Sequence, residues 1–114
     1  MYIFRGTRMN EEAFANQSPD QMQAEMEKWN NWMGDLTKKG KLIGGQPLFP
    51  HGKVVKGTSK KITDGPYTEG KDIVGGYLLI KANDLAEAVD LSKGCPALTF
   101  DDGTVEVREI MPLP

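Results

Sequence analysis

Asp64, Tyr67 and Glu69 stand within six residues of one another, Lys71 follows Glu69 by two, and His51 lies a short way upstream. Two carboxylates at the mouth of a cleft can serve proton transfer, because desolvation there raises the pKa of one towards neutrality. Asp64 or Glu69 is then the candidate base. His51, the only histidine, is with Tyr67 the candidate acid–base partner, because an unperturbed imidazole as a type changes charge near neutrality. Such chemistry needs no cofactor. Lys53, Lys56, Lys60, Lys61 and Lys71 would attract an anionic substrate, and Lys61 and Lys71 are the candidate binding residues. Trp29 is a further candidate, able with Trp32 to line a pocket under a sheet. Each group also has a plainer local reading. Asp-Gly-Pro is favoured in turns, where the aspartate accepts from backbone N–H groups two residues on. His51, in Phe49-Pro50-His51-Gly52, suits a solvated loop, and helical spacing accounts for both tryptophans as core. One histidine and one distant cysteine give no metal-ligand spacing, so no metal is expected. Gly75-Gly76 lacks the Gly-x-Gly-x-x-Gly pattern and following helix of a phosphate loop; a bulge or close backbone approach suits it better.

The 114 residues suit a single domain over 1–114. An apolar share of 39% with 26% charged residues belongs to a globular protein rather than a disordered one. The longest apolar run is Tyr77-Leu78-Leu79-Ile80, so no membrane partner is expected, and the first residues lack the pattern of a signal peptide. Cys95 has no cysteine to pair with, which fits a reducing cytoplasm, and its surroundings suggest a buried, inert thiol. The net charge of -2 conceals a division: residues 1–37 carry -3, residues 38–71 carry +6 and residues 72–114 carry -5. The basic middle invites an anionic partner, or else lysines that keep strand edges from pairing. Nucleic acid fits poorly, since all eight basic groups there are lysine and only Phe49 and Tyr67 could stack on bases.

The positioning elements follow from pattern. Tyr2-Ile3-Phe4 reads as a first strand and residues 6–17 as a loop. Ser18-Pro19-Asp20-Gln21 opens a helix with a cap, a proline at the first position and a capping box. Met22, Met26, Trp29, Met33 and Leu36 lay one apolar stripe along it, and Gly40 stops it. Leu42-Ile43 begins a second strand that Pro47 and Pro50 interrupt. Residues 53–56 and 60–62 read as hairpin arms, Asp64-Gly65-Pro66-Tyr67 as a turn, and 74–81 as a central strand buried on both faces. Asn83 or Asp84 caps a short helix through Leu91 that Gly94 and Pro96 close, and 104–110 alternates as a half-buried strand. With the hairpin set aside the order is βαββαβ, a ferredoxin-like α+β pattern. Both helices then cover one sheet face, and a second copy of the chain is the simplest cover for the other.

Thr63 to Lys71, followed by Val74-Gly75-Gly76-Tyr77, resembles the signature of the DGPF branch of the YCII-related family, with Tyr67 in place of the phenylalanine. Ser18 to Met22, Leu42 to Gly45, Lys93 to Pro96 and Val105 to Arg108 resemble further family segments in the same order. The resemblance implies a homodimeric ferredoxin-like α/β barrel. It also implies a histidine near the start of the first helix in the dyad proposed for the YCII branch; residues 18–26 contain none, so that dyad is not carried over. Two functions remain open: a small-molecule-binding protein using cofactor-independent acid–base chemistry on an anionic substrate, or a non-catalytic dimeric interaction or regulatory module. No cofactor is expected under either.

Overall fold

Among the described residues, six strands, two α-helices and one 3-10 turn alternate. The structure, a computed structural model, describes residues 1–6, 18–49, 51–65 and 73–113. The strands are β1 (Tyr2–Gly6), β2 (Leu42–Pro47), β3 (Gly52–Lys56), β4 (Lys61–Gly65), β5 (Ile73–Ile80) and β6 (Thr104–Val107). The helices are α1 (Pro19–Lys38) and α2 (Leu85–Ser92), and the 3-10 turn is Pro96–Thr99.

α1 starts where its local chemistry dictates. The Ser18 hydroxyl accepts from the Gln21 backbone N–H at 3.2 Å, and the Gln21 side chain accepts from the Ser18 N–H at 3.1 Å, satisfying two donors that the first turn leaves over. The helix closes at Gly40, whose φ of +68° is open to glycine without strain. Trp32 and Leu36 are buried, whereas Met22 and Met26 at the other end of the stripe are exposed. Length explains the difference. Twenty helical residues span about 30 Å, and the five residues of β1, which carry Tyr2 and Phe4 of the core, span about 17 Å, so β1 can cover only part of the stripe.

The main sheet is antiparallel throughout, in the order β2-β5-β1-β6, a topology compatible with the ferredoxin-like expectation. Its packed face is centred on Tyr2, fully buried, whose ring stacks on Trp32 at a centroid distance of 6.0 Å. Phe4 meets Trp29 edge-on at 5.1 Å. The Tyr2 hydroxyl donates to the Ala88 carbonyl in α2, tying sheet to helix; burial pushes its pKa up to about 12. Leu78, Cys95 and Ala88 complete the buried cluster. β5 is central, as expected, but only one of its faces is covered by the described elements.

Close approach explains the glycines of β2 and β5. Phe4 pairs with Gly76 and Arg5 with Val74, so Gly75 is the extra residue of a bulge. A Cβ on Gly76 would lie 3.0 Å from the Gln46 carbonyl oxygen and 3.2 Å from Pro47 Cα. Sequence pattern underestimated β2, which runs on to Pro47, and overestimated β6, which stops at Val107. Beyond Val107 one further backbone exchange follows, between Arg108 and Met1 at 2.9 and 2.7 Å.

β3 and β4 form a separate two-stranded sheet and pack mainly on each other. Their turn spans Gly57 to Lys60, with Gly57 at φ +73° and Lys60 at +56°. Asp64 and Gly65 were expected in a turn and instead complete β4. Val54 covers Gly65 so tightly that a Cβ there would collide with it, and Pro66 then lacks the N–H needed to extend the ladder.

Candidate functional site

Asp64 lies on β4 directly opposite Lys53 on β3, and its carboxylate accepts from the Lys53 ammonium. Its side chain is 90% exposed. The pair forms because antiparallel partners directly opposite share a face; the backbone N–H groups two residues on, which the sequence suggested as donors to Asp64, lie outside the described residues. His51 is also exposed, its ring stacked on Phe49 at 5.1 Å with an interplanar angle of 13°. No hydrogen bond or ion pair joins His51 to Asp64. Lys61 is exposed on β4, directly opposite Lys56. Trp29 is half-buried against Phe4 and Trp32, a partner of the core. Tyr67, Glu69 and Lys71 lie outside the described residues, so the suggested meeting of Glu69 and Tyr67 with Asp64 does too.

Two clefts lie elsewhere. One, about 530 Å³, opens between α1 and the segment after α2, with Lys28, Asn31 and Asp35 on one wall and Lys93, Pro96 and Thr99 on the other. Trp32 and Cys95 form its floor, and the indole N–H donates to the Leu91 carbonyl at 3.2 Å. Cys95 is only 3% exposed, and burial pushes its thiol up to about 11. At that pKa the thiolate is scarce near neutrality, which matches the inert thiol suggested by the sequence. The second groove, about 310 Å³, is lined by Ile43, Ile80, Leu85, Val107 and Ile110 at one end of the sheet. Among the described residues, no group of three or more histidine, cysteine or carboxylate side chains is placed to hold a metal ion. No helix among them is long and apolar enough to cross a membrane.

The sheet face opposite the helices is a third surface. Since Tyr2 and Phe4 point to the helices, Ile3 and Arg5 must point away, and their register places Tyr77 beside Ile3. Leu79 continues the apolar row, and Arg5 closes one end in an ion pair with Glu106 at 2.9 Å. No described helix packs on this face. The alternation of Ile3 and Arg5 around Tyr2 and Phe4 carries this surface in the sequence. Nothing local carries the cleft under Trp32, whose walls are more than fifty residues apart.

Among the described residues, a four-stranded antiparallel sheet with two helices on one face and none on the other, together with a basic hairpin, makes an α+β domain compatible with the ferredoxin-like fold. The family model for the YCII-related domain matches residues 3–114, and the chain belongs to that family. Comparison with the curated proteins finds no match.

Proposed function

We propose that this member of the YCII-related family works in the reducing cytoplasm as a homodimer that binds a small anionic molecule, its two sheets meeting through their open faces as a dimeric α/β barrel. What carries the reading is the open face, where Ile3, Tyr77 and Leu79 form an apolar row that no described helix covers. Removing that row from water against its own copy supplies the driving force for association. The excess of lysine in residues 38–71 supplies the attraction for an anion. Binding is favoured over turnover, since Asp64 already has Lys53 as its counter-ion and lies far out on an exposed ribbon. The DGPY segment of the DGPF branch then begins with an aspartate that holds a hairpin in register.

Light scattering at micromolar concentration tests the dimer. Twice the chain mass is expected for the native protein and a single chain mass for Tyr77→Arg; a native monomer overturns the reading. Thermal-shift titration with small carboxylates and phosphate tests the ligand class. Asp64→Asn is expected to lower the melting temperature and leave those ligand shifts unchanged. Loss of the shifts in Asp64→Asn would return Asp64 to the site.

A further inference from the structure

The β3–β4 ribbon is a poor structure if left alone. Two strands that pack mainly on each other are marginal in water, and this pair carries further burdens. Lys56 and Lys61 lie directly opposite each other on one face, an arrangement of like charges that weakens a hairpin. On the other face Val55 and Ile62 form a cross-strand pair that is 62% and 67% exposed. Lys60, at the tip, keeps a left-handed backbone where glycine would be at ease. The ribbon also carries the molecule outward. The radius of gyration is 15.8 Å, against about 13 Å for a compact chain of this length.

We propose that this ribbon is an arm that lies on the body of a second copy of the chain, its Val55–Ile62 pair covered there and its lysine tip set against acidic side chains. The proposal rests on the homodimer reading and adds to it a second contact. Charge carries the choice of partner. Residues 52–65 hold four lysines and one aspartate, for +3, and the rest of the chain is left with -5. Lys56, Lys60 and Lys61 have no ion pair among the described residues, and neither do the exposed carboxylates Asp20, Glu27, Asp101 and Glu109. A second copy therefore offers the sign the arm lacks, together with two identical contacts per dimer.

The test mixes the native protein at natural isotope abundance with the same protein labelled with nitrogen-15, and joins lysines to nearby carboxylates with a zero-length carbodiimide. Peptides linking Lys56, Lys60 or Lys61 to a carboxylate of the other isotope are expected. Links confined to one isotope, or none, overturn the proposal. The double variant Lys56→Glu/Lys61→Glu is expected to weaken the dimer about tenfold or more, with circular dichroism unchanged. An unchanged dimer constant overturns the proposal. A dimer broken by Tyr77→Arg whose links stay within one isotope overturns the arm alone. Mixed links in a dimer that survives Tyr77→Arg support the arm and overturn the sheet-face contact, and a native monomer overturns both. Retention on heparin that requires the lysines, without mixed-isotope links, assigns the arm to a polyanion and overturns the proposal.

Discussion

At the scale of single residues, Tyr2 joins the two layers of the domain: its ring fills the space under Trp32 and its hydroxyl reaches the Ala88 carbonyl in α2. Tyr2→Phe keeps the ring and loses the hydrogen bond. It is expected to lower stability by about 1 kcal/mol, read by urea unfolding, with no change in fold. Some residue roles were legible in sequence because they are local. Ser18 and Gln21 sit three apart, and a capping box needs nothing else. The ion pair of Asp64 was not legible, for the opposite reason. Its partner, Lys53, lies eleven residues away, and only the register of β3 on β4 brings them together. Turn preference is a property of neighbours along the chain; an ion pair across a ladder is not.

Between elements, β2 and β5 are held close at Gly45, where a Cβ would collide with the Tyr77 carbonyl and Leu78; a Cβ on neighbouring Gly44 would meet nothing within 4 Å. Gly45→Ala is expected to destabilise by about 1–3 kcal/mol, while Gly44→Ala is expected to be neutral or mildly stabilising. Unfolding curves of the pair separate steric need from strand preference. β2 is also tied to α2. The Lys41 ammonium lies 2.7 Å from Glu87 Oε1, at an angle short of ideal for a hydrogen bond, and the Asn83 amide donates to Oε2 at 2.9 Å. Bonding to Lys41, with help from Asn83, holds the Glu87 carboxyl below its ordinary 4.5. A depressed folded-state pKa adds stability that is fully present above the unfolded value and is lost as pH falls through the folded one. The melting-temperature advantage over Lys41→Met is therefore expected to hold near neutrality and to shrink below about pH 4.5. Helices and strands were legible from periodicity, including the bulge at the paired glycines. The end of β6 at Val107 was not, because it is set by register on β1 and not by alternation within β6.

As a whole the molecule is broad and thin, 47 × 46 × 21 Å. One reason is the ribbon, which packs mainly on itself. Replacing residues 53–64 with a short glycine linker is expected to leave the four-stranded sheet and both helices intact, with a cooperative thermal transition and unchanged helical circular dichroism. Loss of that transition would mean the ribbon braces its own domain. The division of charge was visible in the sequence; that its basic part stands clear of the sheet was not, since composition carries no direction. The strand order has one further consequence, in time rather than in space. β1 is made first, yet both of its neighbours, β5 and β6, come from residues 73–107. While the ribosome is still extending the chain, Tyr2 and Phe4 have a helix to lean on but no strand to bond. The sheet can close only when residue 107 has emerged, so the first strand waits for the last before its ladder is full.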